Sequence, residues 1–190
     1  NAMTPEQQRD PAWIYWKARA LQALAPASQD DEGMRAMAGE MLAGIAGRLH
    51  FYGLLAAEDL GQPLVLPPKP APATAEEIEA ARTHPGLTRA LQLIEIGLRN
   101  EGVREWNFSL RGMNDRALLA AAQRACDAQV WDRCINTSDR TREEIDIDQR
   151  YPLPFRRDVV AKASEIGLDP TYVYGLIRQE SRFILDARSH

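Results

Sequence analysis

Hydrophobic residues recur at helical spacing near the end of the chain, between Asp169 and Arg182. Asp169 suits a helix N-cap and Pro170 suits the first helical position, so a helix is predicted to begin here. At about 100° per residue, one side of that helix is apolar except at a single position. The side chains on this side are Val173, Leu176, Ile177 and Glu180. The pattern therefore predicts a carboxylate inside an apolar stripe.

A carboxyl group in an apolar stripe is suited to act as a general acid. Burial away from water disfavours the charged form of a carboxylic acid. A general acid must keep its proton near neutral pH, so the stripe indicates Glu180 as a candidate general acid. The alternative is that Glu180 lies at a solvated helix end, because Glu is common on helix surfaces. Periodicity alone leaves both interpretations open.

Helical spacing also predicts the rest of the fold. Further helices are expected at 12–25, 33–47, 51–60, 75–82, 85–100, 103–112, 115–126, 130–137 and 155–166. The core-facing stripe of the first is predicted to be Trp13, Trp16, Ala20 and Leu24. Five prolines in 62–74 favour an extended connector, and the charged run 141–150 is interpreted as a solvated loop. No run alternates, so an all-α fold of antiparallel helical hairpins is predicted, without a regular repeat.

Composition narrows the possible functions. The 190 residues are 45% hydrophobic and 26% charged, enough for one domain or two small ones with a sizeable core. A net charge of −4 gives no basic excess for nucleic acid, and no apolar run approaches the roughly 20 residues that span a bilayer. His50, His84 and His190 are too scattered for a metal-binding helix. We expect no metal and no cofactor.

Two features concern processing and redox chemistry. Asn1 and Ala2 resemble a tag remnant ahead of Met3, and such an engineered start would have removed a signal peptide. Cys126 and Cys134 would lie about 12 Å apart on one straight helix, too far for a disulfide. If the chain turns at 127–129, the cysteines could face each other across a hairpin. Two buried free thiols are the alternative, and the residues leave both open.

Six stretches, taken in order, resemble a known family, the soluble lytic transglycosylases of bacterial cell-wall metabolism. They are AWIYWKARAL, FYGLLAAEDLG, REWNFSL, VWDRCINTSDRT, YPLPFRRDVVAKA and YVYGLIRQESRF. The most specific is RQES at 178–181, followed one residue later by Phe183. In the family this glutamate is catalytic, so the resemblance implies that role for Glu180. It implies hydrogen bonding to substrate near the site for Ser181, with helix-end capping as the alternative.

The resemblance also implies a domain organisation. Residues 1–61 look like the end of an α-superhelical domain, 62–84 a proline-rich connector with a short helix, and 85–150 a helical linker domain. Residues 151–190 look like the first part of a goose-lysozyme-like catalytic domain. The family continues into a Gly-Leu-Met-Gln stretch and helices that build the sugar-binding groove. Because this chain stops at His190, we expect a truncated catalytic domain and no activity of the chain alone.

The activity implied is cleavage of the β-1,4 bond between N-acetylmuramic acid and N-acetylglucosamine, with closure of a 1,6-anhydro ring. One carboxylate suffices, because the nucleophile is the substrate's own 6-hydroxyl group. Glu180 would protonate the leaving oxygen and then accept the proton of that hydroxyl. Most glycosidases instead use two carboxylates.

The resemblance further implies a periplasmic location, peptidoglycan glycan strands as substrate, and other cell-wall enzymes as candidate partners. Disulfides persist in the periplasm, so Cys126 and Cys134 are expected within bridging distance, with Cα atoms closer than roughly 7 Å. The competing hypothesis is a non-catalytic α-solenoid scaffold that binds a protein or a glycan on a concave surface. In that case Glu180 would have no chemical role.

Overall fold

The computed structural model describes residues 3–188, and within them it contains α-helices, short 3-10 turns and no strand. The helices are α1 (Pro11–Leu24), α2 (Asp31–Ala43), α3 (Phe51–Asp59), α4 (Ala75–Thr83), α5 (Pro85–Glu95), α6 (Arg99–Ser109), α7 (Asp115–Asp127), α8 (Trp131–Ser138), α9 (Ile147–Arg150), α10 (Arg156–Glu165) and α11 (Pro170–Ser181). The predicted all-α fold is confirmed. The predictions about Asn1, Ala2 and His190 lie outside the described residues.

The chain divides into two compact units, Asn1–Leu66 and Pro67–His190. The first contains α1 to α3, and the second contains α4 to α11. Consecutive helices pack in pairs, α1 on α2, α5 on α6, α7 on α8 and α10 on α11. The finer domain boundaries expected at 61, 84 and 150 stay predictions. Among the described residues, no helix is both long enough and apolar enough to cross a membrane.

The core of the first unit lies on a different face of α1 from the predicted one. Trp13 and Trp16 are 55% and 57% exposed, and Ala20 and Leu24 are exposed as well, so the predicted stripe is wrong. The buried residues of α1 are Tyr15 and Ala18. The small Ala18 side chain lets α2 approach closely, and the Tyr15 hydroxyl donates to the Asp59 carboxylate at 3.1 Å. Because α1 carries aromatic rings on two sides, helical period alone could not select the buried one.

In the second unit, the prediction of one continuous helix over 85–100 is wrong. Helix α5 ends at Glu95, and Gly97 adopts a left-handed backbone conformation with φ +87°. Gly102, which falls between the predicted helices 85–100 and 103–112, lies inside α6. A Cβ atom on Gly102 would lie 2.6 Å from Ile94 Cγ1, so glycine is needed there for the close approach of α6 to α5.

The prediction of a solvated loop at 141–150 is wrong in part. The Asp115 carboxylate accepts the backbone N–H groups of 142–144 at 2.7–3.1 Å, which lowers the pKa of Asp115. The chain then forms the short helix α9, where Gln149 is buried and its amide donates to the Leu119 carbonyl at 3.1 Å. The charged side chains at 142–144 predicted a solvated loop, but the backbone N–H groups of these residues order the segment through Asp115.

The buried centre of the second unit is Trp106, which is 0% exposed. Its indole N–H donates to the Thr137 hydroxyl at 2.8 Å, so the polar atom of this large side chain is satisfied. The cluster around it contains Leu87, Ala90, Leu110, Leu118, Ala121, Ala125 and Cys134. These residues come from α5 to α8, so one core holds the second unit's first helices together.

The two cysteines face each other across the α7–α8 hairpin. Cys126 lies near the end of α7 and Cys134 lies in α8, and their Cα atoms are 5.1 Å apart in a disulfide bond. The turn between the helices includes Gln129, whose φ is +58°. This bond clamps the hairpin whose α8 helix carries Ile135, a residue that packs against α11.

We expect the double variant Cys126→Ser, Cys134→Ser to unfold more easily than the oxidised wild type. The bond closes a short loop, and the loss of that loop constraint should lower the free energy of unfolding by about 2–3 kcal/mol. Urea unfolding with and without dithiothreitol measures this. Reductant should destabilise the wild type and leave the double variant unchanged, whereas a wild type insensitive to reductant would contradict the expectation.

Arg116 of α7 holds residues 71 and 72 of the proline-rich segment in place within the second unit. The Arg116 guanidinium donates to the carbonyl oxygens of Ala71 and Pro72 at 2.8 and 3.0 Å. It also pairs with the carboxylates of Glu77 at 2.6 Å and Glu144 at 3.1 Å. The hydrogen bond from Arg116, together with the backbone N–H of Thr74, lowers the pKa of Glu77 from 4.5 to about 2. Glu77 therefore favours the folded state only while it is ionised.

This shift predicts a pH dependence of stability. Glu77 in the unfolded chain takes up its proton near pH 4.5, before folded Glu77 does, so its contribution is present above pH 4.5 and is lost as the pH falls toward 2. We expect Glu77→Gln to show a shallower loss of stability over this window than the wild type, measured by thermal unfolding followed by circular dichroism. Glu76→Gln, an exposed neighbour on α4, is the matched control and should keep the wild-type slope. Identical slopes in both variants would refute the assignment.

Candidate functional site

Helix α11 begins as the sequence predicts. The Asp169 carboxylate accepts the backbone N–H of Thr171 at 2.7 Å, and Pro170 occupies the first helical position. Gly167, with φ +70°, makes the turn that separates α10 from α11. Glu180 lies in the last turn of α11, within the RQES motif at 178–181.

The buried face of α11 is centred on Tyr174 and differs from the predicted apolar stripe. Tyr174 is 7% exposed, and its hydroxyl donates to the Pro154 carbonyl at 2.8 Å. Leu176 is 50% exposed and Glu180 is exposed, so of the two interpretations left open by the sequence, the structure of this chain shows the solvated helix end. Apart from Glu180, the predicted stripe contains only aliphatic side chains, and Tyr174 is not part of it. Counting its ring as apolar would have moved the predicted face toward Tyr174, Ile177 and Ser181.

The chain turns sharply directly after α11. Arg182 and Phe183 have φ values of +50° and +64°, a left-handed conformation that side chains rarely adopt. Such residues each cost about 1–3 kcal/mol and persist only where the surroundings hold them. Phe183 is buried here, 6.0 Å from the Tyr174 ring centroid, in a cluster with Ile135. Burial of Phe183 thus offsets the strain and fixes the end of the helix that carries Glu180.

Arg178 ties α11 to the segment that follows α8. Its Nε–H donates to the Arg150 carbonyl at 2.8 Å, and its guanidinium carbon lies 4.5 Å from the centroid of the Tyr151 ring. One terminal nitrogen lies 3.4 Å from the Asp139 carboxylate. Sequence reasoning gave none of these residues a role, because the contacts join positions 27–39 residues apart.

Ser181 makes a local contact. Its hydroxyl donates to the Ile177 carbonyl one turn earlier at 3.3 Å, and the residue is half-buried. This bond is typical of Ser inside a helix and leaves the oxygen lone pairs free to accept. A role for Ser181 toward substrate stays a prediction.

The chemistry available at this site is that of one carboxylate. Within residues 3–188 the structure records no hydrogen bond or ion pair to the Glu180 carboxylate, so this group is free to meet a ligand from solvent. Across the same residues there is no group of three or more His, Cys, Asp or Glu side chains that could hold a metal ion. A single solvent-facing carboxylate can donate or accept a proton.

Comparison with curated proteins finds relatives over nearly the whole chain. The soluble lytic murein transglycosylase of Escherichia coli (strain K12) is 24% identical over 177 residues, which are 93% of this chain and 26% of that protein. The protein of the same name from Salmonella typhimurium is 23% identical over 176 residues, with the same coverage. The chain thus spans about a quarter of the length of the curated relatives it matches. No protein-family model matches it.

Solved structures show the same similarity. An inactive Glu-to-Gln mutant of the lytic transglycosylase Slt from Pseudomonas aeruginosa superposes with a TM-score of 0.74 at 29% identity, covering 98% of this chain and 29% of that one. The 70-kDa soluble lytic transglycosylase of Escherichia coli shares the fold at 20% identity and a TM-score of 0.68, with the same coverage. The predicted resemblance to soluble lytic transglycosylases is confirmed.

Proposed function

We propose that the chain is part of a peptidoglycan lytic transglycosylase in which Glu180 is the general acid and base. The proposal rests on one observation. The solvent-facing carboxylate of Glu180 stands in the RQES motif at the end of a firmly anchored helix, in a chain similar over 93% of its length to soluble lytic murein transglycosylases. The Pseudomonas aeruginosa protein is described as inactive when a glutamate becomes glutamine, and Glu180 is the candidate for the corresponding residue.

The proposed reaction is an intramolecular displacement on the glycan strand. Protonated Glu180 gives its proton to the oxygen that links N-acetylmuramic acid to N-acetylglucosamine, and the bond from C1 to that oxygen breaks. The resulting carboxylate accepts the proton of the 6-hydroxyl group as that oxygen bonds to C1. The 1,6-anhydro ring closes, Glu180 regains its proton, and no water is consumed.

The proposed activity belongs to a longer protein working on peptidoglycan in the periplasm, with other cell-wall enzymes as candidate partners. A glycan groove needs walls that exclude water and hold the sugar against the acid. In this chain the Glu180 carboxylate faces solvent, and the apolar Leu176 beside it is half exposed. We infer that the groove walls come from other parts of the relatives' length, and that this chain by itself is inactive.

Digestion of purified sacculi by the longer protein tests the reaction class. Mass spectrometry of the soluble products distinguishes a 1,6-anhydromuramoyl end from a reducing end, because hydrolysis consumes one water per bond cleaved and leaves the muramoyl end one water heavier than its anhydro form. Anhydromuropeptides support the proposal. Reducing ends would identify a hydrolase, and binding to sacculi without turnover would identify a scaffold.

A further inference from the structure

We propose that Arg178 is a positioning residue for Glu180, because its guanidinium fixes the rotation of α11 about the helix axis and so the direction of the carboxylate. The inference rests on the proposed function of Glu180 and adds a second residue to that site. Arg178 does not need to touch substrate for this role. It acts by joining α11 to the 139–151 segment, which leads from the end of α8 through α9 to Tyr151.

Three different contacts converge on the Arg178 side chain. The Nε–H bond to the Arg150 carbonyl defines a point, at 2.8 Å. The Tyr151 ring centroid lies 4.5 Å from the guanidinium carbon, so the ring restrains the tilt of the guanidinium plane. The Asp139 carboxylate lies 3.4 Å from a terminal nitrogen and restrains the direction in which that nitrogen points. A planar guanidinium can donate from its edge and stack through its face at once, which the ammonium group of lysine cannot do. The arrangement therefore constrains orientation as well as distance.

The helix geometry converts this constraint into control of Glu180. Two residues along an α-helix correspond to a rotation of about 200°, so Arg178 and Glu180 point to nearly opposite sides. A helix with its side chains has a radius of about 5–6 Å, so a rotation of about 10° would move a terminal carboxylate by roughly 1 Å. An error of that size can cost on the order of 100-fold in rate. Anchoring the side away from substrate leaves the carboxylate unobstructed.

Other contacts hold α11 in the fold without Arg178. Tyr174 and Phe183 are buried together with Ile135. Tyr174 lies one helical turn before Arg178, and its hydroxyl donates a hydrogen bond to the Pro154 carbonyl. These contacts set where the helix lies along the second unit. Because they supply the burial, loss of the partly exposed Arg178 side chain should loosen the last turn of α11 and leave the fold intact.

Kinetics of the longer transglycosylase test the role. We expect Arg178→Gln to lower kcat by roughly 10–100-fold with KM nearly unchanged, because substrate still binds while the acid is misdirected. Arg178→Lys keeps the charge and should recover little of the loss, because lysine cannot both donate and stack. Arg157→Gln removes the same charge from an exposed position on α10 and should keep the wild-type kcat.

Amide hydrogen exchange on the 190-residue chain supplies a readout that does not depend on activity. Arg178→Gln should speed exchange at 179–183 while leaving α7 and α8 unchanged, and Arg157→Gln should change neither. Exchange that speeds up equally throughout the second unit would show a general structural role and overturn the proposal.

Glu180→Gln, measured beside these variants, distinguishes failure of the proposed function from failure of the positioning role. A fully active Glu180→Gln enzyme would overturn the proposed function and this inference with it. An inactive Glu180→Gln enzyme together with a wild-type kcat for Arg178→Gln, or with full recovery by Arg178→Lys, would overturn the positioning role alone.

Discussion

Replacing Glu180 by Gln in the proposed longer transglycosylase should lower the release of anhydromuropeptides by roughly 10²–10⁴-fold, the usual contribution of general acid–base catalysis. Glutamine keeps the size and shape of the side chain and removes its titratable proton. Both proposed steps pass through that proton, so no part of the mechanism survives the change. Initial rates on purified peptidoglycan, with products identified by mass spectrometry, measure the effect.

The fold should tolerate this substitution, because Glu180 is exposed and the structure records no ion pair or hydrogen bond to it within residues 3–188. Glu165→Gln on α10 is the matched control. Glu165 is also an exposed glutamate, and it pairs only with the exposed Lys162 at 2.8 Å among the described residues. It should retain the full rate. A Glu180→Gln enzyme with more than a small fraction of wild-type activity and a normal unfolding midpoint would show that another group is the acid.

The 190-residue chain alone should release no anhydromuropeptides from sacculi. A general acid accelerates a reaction only when it is held against bound substrate, and most of the remaining acceleration comes from positioning and preorganised charge stabilisation. In this chain Glu180 faces solvent, and the half-exposed Leu176 lies on the same side of α11. Among residues 3–188, nothing covers the exposed Glu180 carboxylate against water.

Overnight digestion of purified sacculi by the chain, beside the longer protein at equal molarity, provides the test. The longer protein carrying Glu180→Gln gives the background. Soluble anhydromuropeptides at a rate comparable to the longer protein would show that the 190 residues already contain a complete site. Binding of the chain to sacculi without release is compatible with the expectation, because affinity alone does not supply catalysis.

Local chemistry determined the presence of most helices and where several of them begin. Asp169 and Pro170 begin α11 because a carboxylate caps free N–H groups and proline fits the first turn, and both act over two or three residues. The prolines of 62–74 excluded helix for an equally local reason. The RQES motif identified Glu180 as a candidate without any structure. The turn between Cys126 and Cys134 was one of two interpretations that the spacing allowed.

Tertiary structure alone decided which face of each helix is buried and what holds Glu180 in place. Periodicity describes one helix, whereas burial depends on which neighbour packs against it, and for this reason Trp13 is exposed while Tyr15 is buried. The left-handed turn at Arg182 persists because Phe183 finds a buried cluster with Ile135, 48 residues earlier in the chain. The contacts of Arg178 likewise reach back to Asp139. The sequence identified Glu180 as the candidate acid and predicted its helix, and only packing between distant segments could set the direction in which this carboxylate points.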